Sequence, residues 1–185
     1  MKDKTKPVSE RDEEAYYSGC IYDRQDIWRF RRAKAYLSRV SIADEEVGSL
    51  AQLAGEGVIV YAIKQRSKLN SLIIAEVASR KGLPMPVYSH GVNMSFWQPL
   101  SKMLKFYGSS FLRRFRRDRV TRQGKLDFMT RKVADKESII IHLGESEFIE
   151  SRSAQDALAS LMNLQSTLSF PIYIVPVLVA YGRRR

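Results

Sequence analysis

The 185-residue chain predicts an α/β fold in which helices flank a mainly parallel or mixed sheet. Short apolar runs rich in β-branched residues alternate with amphipathic segments of helical period, an order typical of β-α-β units. The length suits one domain with a sizeable core, and 44% hydrophobic with 28% charged residues is typical of a globular chain. We expect a charged lead and helical segment over residues 1–54 and an α/β domain over residues 55–185.

The strands are predicted from apolar runs bounded by glycine, proline and polar residues. The first is Val58–Ile63, a continuous apolar run of the kind that parallel sheets bury on both faces. Proline removes a backbone donor, so Pro176 in the last run predicts a sheet edge or a bulge that faces a site. The other strands are expected at residues 86–89, 108–112, 138–143 and 171–180.

The helices are predicted from apolar residues at helical spacing. A helix over residues 69–80 is expected to end at Gly82, with Pro84 just beyond it. The chain stops soon after a strand that a parallel sheet normally covers, so we expect the α/β domain to be cut short. The remaining helices are expected within residues 23–54, as one or two helices, and at residues 100–107, 125–133 and 154–168.

The net charge of +11 predicts a polyanionic partner, whether nucleic acid, anionic lipid headgroups or a phosphorylated small molecule. Residues 101–132 carry most of it, with eleven basic and two acidic side chains. A single cysteine, Cys20, and two histidines exclude a disulfide framework and multi-cysteine or three-histidine metal sites. We expect no metal site, no cofactor, no signal peptide and no transmembrane segment.

A series of motifs runs in one order along residues 58–181. The strand and loop YAIKQRSKLN at residues 61–70 precede Gly-Leu-Pro at 82–84, GVNMSFW at 91–97 and GSSFLRR at 108–114. Val175-Pro176-Val177 and Ala180-Tyr181 follow in the last strand. This order resembles the bacterial membrane-associated glycerol-3-phosphate acyltransferases of the glycerolipid acyltransferase superfamily. Their pattern is a strand, His-Arg-Ser-x-x-Asp, a helix, a Gly-Leu-x-x-Pro turn, a Gly-x-Asn-x-x-x-Trp-like loop and Gly-x-Phe-Phe-Ile-Arg-Arg.

The resemblance implies that Gln65 and Asn70 hold the positions of the catalytic pair. In the family, a histidine takes the proton from the glycerol hydroxyl as it attacks an acyl thioester, and an aspartate orients that histidine. Glutamine is no general base near neutral pH, and asparagine carries no charge to stabilise an imidazolium. The resemblance therefore implies an acyltransferase-like domain that is itself catalytically inactive.

The resemblance also implies a set of substrate-binding positions. Arginine suits phosphate because its planar guanidinium donates two parallel hydrogen bonds. The family also has a Glu-Gly-x-Arg-Ser-Arg block that helps to hold the acyl acceptor. In this chain it aligns either from Glu145 or, preferably, over residues 148–153. The last strand, which contains Pro176, corresponds to a strand that contributes to the acyl-donor side. The implied positions are Arg66, Ser67, Gly108, Arg113, Arg114, Glu150, Arg152 and Pro176.

The implied partners are glycerol 3-phosphate or lysophosphatidate, acyl-CoA or acyl-carrier protein, and an anionic membrane surface. A further implied partner is a downstream acyltransferase domain of a longer chain. The expected location is the cytoplasmic face of the inner membrane, where the protein is bound peripherally. Two alternatives stay open. One is an active acyltransferase with unorthodox residues, and the other is a nucleic-acid-binding module that uses arginines 113–122, with Phe111 and Phe115 as stacking faces.

The two histidines are candidates for a stand-in base. His142 lies in an apolar strand, where a hydrogen-bonded structural histidine is more usual. His90 precedes Gly91 in a loop that can approach the site, and the same structural interpretation is preferred for it. Phe96 and Trp97 have two interpretations that the sequence favours equally. They dock on a membrane surface, or they pack on the sheet.

Overall fold

Four parallel strands form the sheet in the computed structural model, which describes Tyr17, Leu37 and residues 39–94, 122–144 and 148–182. The strands are β1 (Val58–Ile63), β2 (Tyr88–Ser89), β3 (Ile139–His142) and β4 (Ile172–Val177). Their order in the sheet is β2-β3-β1-β4, and each neighbouring pair runs parallel. The predicted α/β fold with a mainly parallel sheet is confirmed.

Four helices lie in the described part of the chain: α1 (Asp44–Glu56), α2 (Lys68–Lys81), α3 (Arg122–Ala134) and α4 (Phe148–Gln165). The α2 helix begins where the Ser67 hydroxyl oxygen accepts from the Asn70 backbone N–H at 3.3 Å. It ends at Gly82, whose φ of 68° lies in the left-handed region and whose N–H donates to the Ala78 carbonyl. These caps confirm the predicted helix and its predicted stop.

The remaining predictions differ from the structure mainly at element boundaries. The β1 bounds match the prediction, while β2 is only two residues long and α3 begins at Arg122, three residues early. The predicted start of the last helix at residue 154 was wrong, because α4 begins at Phe148 and includes residues 148–153. The predicted elements at 100–107 and 108–112 lie outside the described residues.

The sheet is covered on both faces, and this explains why β1 is apolar throughout. Val58, Val60 and Ala62 pack into a cluster with buried residues of α3 and α4. Alternate residues Ile59, Tyr61 and Ile63 pack with buried residues of α2 on the opposite face. Side chains along a strand point alternately to the two faces of the sheet. Because helices bury both faces here, every position of the central strand β1 suits an apolar residue.

The β4 strand lies at the edge of the described sheet, which confirms the edge interpretation of Pro176. The Val58 N–H donates to the Pro171 carbonyl at 3.0 Å. Since backbone groups alternate in direction along a strand, those of residues 173, 175 and 177 face β1, and those of residues 172, 174 and 176 face away. The missing N–H of Pro176 therefore removes no hydrogen bond from the β1–β4 ladder. The outward N–H of Ile172 donates to the Gln165 side chain at 2.6 Å.

Candidate functional site

The carboxyl ends of β1, β3 and β2 bring polar residues from three neighbouring strands to one edge of the sheet. Gln65, Arg66 and Ser67 follow β1, His90 follows β2, and His142 ends β3. The Leu143 N–H donates to the Ile63 carbonyl at 2.9 Å, and the His90 N–H donates to the Ile140 carbonyl at 2.8 Å. Ligands of open parallel sheets bind at this edge, so it is the candidate site.

The two positions that the resemblance assigns to a catalytic pair, Gln65 and Asn70, both lie at this edge, on the α2 side. Gln65 is exposed in the loop between β1 and α2. Asn70 is buried in the first turn of α2, and its side-chain oxygen accepts a hydrogen bond from the Tyr181 hydroxyl. Neither amide takes up or releases a proton near neutral pH, so this pair of positions offers polar contacts and no acid–base chemistry.

A buried hydrogen-bond chain runs from α2 through β2 to β3. The Ser71 and Ser89 hydroxyl oxygens are 3.1 Å apart, and Ser89 Oγ lies 3.0 Å from His142 Nε2. His142 Nδ1 faces the Gln65 backbone carbonyl at 3.4 Å. A carbonyl only accepts, which assigns the ring proton to Nδ1 and leaves Nε2 to accept from the Ser89 hydroxyl. The Ser71 hydroxyl oxygen also lies 3.1 Å from the Ser67 carbonyl, so its single proton serves either this carbonyl or Ser89.

The chain makes His142 a structural histidine, as the sequence interpretation had it. Burial lowers the pKa of His142 to about 4, the hydrogen bond to the Gln65 backbone opposes this shift, and the Arg66 charge adds to it. The ring is therefore neutral at pH 7. Ser89 has no exposed surface, so the Ser89–His142 pair is closed to a substrate and does not form a nucleophile and base.

His90 lies on the other face of the sheet, towards α3, where its ring is 6.1 Å from that of Tyr88. Only 6% of the residue is exposed, and among the described residues its Nδ1 has no hydrogen-bond partner. Burial lowers the pKa of His90 to about 4, the charges of Lys125, Arg66 and Arg122 lower it further, and so does repulsion from His142 when that ring is protonated. A neutral, unsatisfied imidazole thus lies close to several cations.

The other predicted substrate residues are dispersed. Arg66 is exposed at the carboxyl edge, and Ser67 there caps α2. Pro176 pairs with Ala62 on β4, on the side of β1 opposite to β3. Glu150 and Arg152 fall in the first turns of α4. The residues Gly108, Arg113 and Arg114 lie outside the described part of the chain.

Sequence reasoning gave Arg122 and Lys125 no role in the site, although both belong to the basic block at residues 101–132. The sequence showed that both side chains are positively charged. Their closeness to His90 became clear only from the fold, because α3 lies beside the end of β2. Within the described residues, no group of three or more His, Cys, Asp or Glu side chains is arranged to hold a metal ion. No helix of the described ranges is long and apolar enough to cross a membrane.

The fold and this edge define an α/β protein with a parallel sheet whose carboxyl edge carries amides, neutral histidines and cations. The chain is 33% identical over 144 residues to a glycerol-3-phosphate acyltransferase of Haemophilus influenzae (strain PittEE), covering 70% of this chain and 17% of that protein. It is 30% identical over 151 residues to the glycerol-3-phosphate acyltransferase of Actinobacillus succinogenes, covering 74% and 18%. The chain therefore spans less than a fifth of the length of these relatives. No family model and no solved structure matches it.

Proposed function

We propose that the chain is an acyltransferase-like domain of the glycerol-3-phosphate acyltransferase type that does not itself catalyse acyl transfer. The similarity to the two relatives and the α/β fold support the acyltransferase-like part. The observation that carries the inactivity is the pair of amides, Gln65 and Asn70, at the positions of the catalytic histidine and aspartate.

The described hydrogen bonds support this proposal. A base must be unprotonated, accessible and free to take the proton of the attacking hydroxyl. The Asn70 side-chain oxygen accepts from Tyr181, and both ring nitrogens of His142 face partners within the buried chain. Neither residue therefore replaces the missing base of position 65.

The purified chain is expected to transfer no acyl group from acyl-CoA or acyl-carrier protein to glycerol 3-phosphate above the uncatalysed rate. The physical reason is the absence of a titratable base at position 65, which removes the 10²–10⁴-fold contribution typical of general base catalysis. The measurement is release of free thiol, with the Haemophilus influenzae relative as the active control. The double variant Gln65→His with Asn70→Asp tests the two positions directly and is expected to gain turnover if the remaining pocket is intact.

Turnover by the unmodified chain would contradict inactivity, and its loss in Gln65→Ala would assign that turnover to position 65. Ser49→Ala is the matched control, since Ser49 is exposed on α1 and its hydroxyl donates to the Glu45 carbonyl of its own helix. A loss shared by both variants would point to damaged folding, and circular dichroism of each variant separates that case.

We further propose that the basic block at residues 101–132 contacts an anionic membrane surface, which gives the inactive domain a docking role. Vesicles of phosphatidylcholine with phosphatidylglycerol are expected to carry the chain in flotation, whereas phosphatidylcholine alone is not. Each charge near such a surface contributes about 1 kcal/mol, so replacing four arginines by glutamine is expected to weaken partitioning by about a thousandfold. The four are Arg113, Arg114, Arg116 and Arg117.

The control removes four cations from the lead segment instead, as Lys2→Gln, Lys4→Gln, Lys6→Gln and Arg11→Gln. Equal weakening by both sets would indicate general charge attraction and contradict a docking block. Tighter binding to duplex DNA than to the anionic vesicles at physiological salt would favour the nucleic-acid alternative.

A further inference from the structure

We propose that the outer edge of β4, which faces away from β1 in the described sheet, is a surface for antiparallel pairing with β4 of a second copy of the chain. Gln165 and Pro176 hold this surface closed in the monomer. Gln165 substitutes for a neighbouring strand, and Pro176 lacks a donor that such a strand would need. The inference goes beyond the proposed function, because it concerns neither acyl transfer nor the amides at positions 65 and 70.

The first observation is the pair of hydrogen bonds that the Gln165 side chain makes at the end of α4. Its Nε2 donates to the Phe170 carbonyl at 3.1 Å, and its Oε1 accepts from the Ile172 N–H at 2.6 Å. In a parallel sheet, a residue of a neighbouring strand donates to one residue and accepts from the residue two positions further on. The side-chain amide of Gln165 therefore takes the place of a strand residue paired with Pro171.

The second observation is the direction of the backbone groups along β4. The N–H and C=O groups of residues 172, 174 and 176 face away from β1. Gln165 accepts from the outward N–H of Ile172, and Pro176 has no N–H. The outward N–H of Ile174 takes part neither in the ladder with β1 nor in the contacts of Gln165. The edge is thus closed on both sides of Ile174.

The third observation is the composition of this edge. Natural proteins commonly protect edge strands with charged side chains, above all lysine. Residues 170–182 contain no charged side chain, and Ile174 and Leu178 are 41% and 86% exposed. An uncharged, apolar strand with an open edge pairs readily with another strand. Gln165 and Pro176 therefore supply the protection that charge supplies in other proteins.

A second copy fits this edge because β4 is self-complementary about Ile174. In an antiparallel pair, a residue that lies opposite its own copy exchanges two hydrogen bonds with it. Ile174 meets this requirement across a two-fold axis, and the two apolar side chains then pack side by side. The next bonds outwards join residue 172 of one copy to residue 176 of the other. The unmodified edge makes only the central bonds, whereas an edge without Gln165 and Pro176 makes the flanking bonds as well.

Sedimentation velocity over a concentration series tests the proposal with the full chain. The unmodified chain is expected to be monomeric at concentrations where Gln165→Met with Pro176→Val forms a dimer. Gln165→Met frees the Ile172 N–H and keeps the length of the side chain, and Pro176→Val restores the missing donor. Each restored bond occurs twice across the two-fold axis. Each substitution is therefore expected to lower the dimer dissociation constant about tenfold, and both together about a hundredfold.

Gln123→Met is the matched control for Gln165→Met. Gln123 is exposed on α3 and its side chain donates to Asp127 of the same helix at 2.9 Å, so the substitution adds the same apolar group away from β4. Gln165→Glu is the conservative variant. Its carboxylate still accepts from the Ile172 N–H and adds a charge at the edge, so this variant is expected to remain monomeric.

Equal association of the Gln123→Met and Gln165→Met variants would overturn the proposal, as would a double variant that remains monomeric. Pro176→Val alone leaves the end of α4 unchanged, so it tests the same edge in case Gln165→Met misfolds. The acyl-transfer assay is a separate readout, so failure of either proposal leaves the other measurable.

Disulfide cross-linking tests the register of the pair, in the double variant with Cys20→Ser, which removes the only cysteine of the chain. Ile174→Cys places two thiols opposite each other, where Cα atoms are about 5.5 Å apart and within disulfide range. Leu178→Cys is the control, since its two copies would lie about 27 Å apart along the strands. A covalent dimer is expected for Ile174→Cys alone. Equal cross-linking of both variants, or assemblies larger than a dimer, would overturn two-fold pairing at this edge.

Discussion

Between pH 6.5 and pH 4 the free energy of unfolding is expected to fall steeply, by about 3 kcal/mol for each of the two buried histidines. Their folded-state pKa values are lowered from 6.5 to about 4, first of all by burial. The unfolded chain takes up protons near pH 6.5, whereas the folded chain does so only near pH 4. Stability from the neutral histidines is therefore fully present above pH 6.5 and is lost as the pH falls through this window.

The Asp44 carboxylate affects the free energy of unfolding at a lower pH than the two histidines do. The hydrogen bond and charge of Lys81 lower the pKa of Asp44 below its usual 3.8, so the stability that this pair contributes is lost only below that pH. A loss of stability that begins near pH 6.5 is thus a signature of His90 and His142, which are the only histidines in the chain.

Urea unfolding midpoints from pH 8 to pH 4 measure this loss. The His90→Phe variant is expected to lose about half of the pH dependence, because one of the two titrating groups is gone. A midpoint that stays constant from pH 7 to pH 5 would contradict burial of the neutral rings.

Local patterns in the sequence were sufficient for the elements that are determined locally. Val58–Ile63 is a strand at its predicted bounds because six consecutive apolar residues suit a position buried on both faces. The α2 helix was predictable since Ser67 and Gly82 supply a cap at each end within a few residues of the apolar pattern. Pro176 likewise indicated a sheet edge through its missing donor.

The site depends on contacts between residues far apart in the chain, which periodicity does not report. Ser89 meets His142 across 53 residues, and the charges of α3 reach His90 only because β2 lies at the sheet edge beside that helix. The start of α4 was misjudged because residues 148–153 are mostly polar, and polar residues in a first helical turn resemble a loop in sequence. The resemblance located Gln65 and Asn70, but the bond from Tyr181 to Asn70 required the fold.

The second large effect is expected at Gly57, where α1 ends and β1 begins. Its φ of −160° and ψ of −158° are extended values that any residue adopts, so backbone strain does not require glycine here. Space does: a Cβ at this position would lie 2.2 Å from the Pro171 carbonyl oxygen and 2.8 Å from Pro171 Cγ. That carbonyl accepts the first hydrogen bond between β1 and β4, from the Val58 N–H. Gly57→Ala is therefore expected to destabilise the fold by about 3 kcal/mol, as overpacking against a backbone group does.

Gly48→Ala provides the matched control, because it adds the same methyl group in the same neighbourhood of the chain. Gly48 lies within α1, and a Cβ there meets nothing within 4 Å. Alanine is favoured over glycine inside a helix, so this variant is expected to gain up to about 1 kcal/mol. Urea unfolding of both variants at pH 7.5 compares them directly. Opposite signs would place the constraint at the β1–β4 junction, whereas a Gly57→Ala variant within about 0.5 kcal/mol of the unmodified chain would mean that Pro171 and β4 shift without loss of the sheet edge.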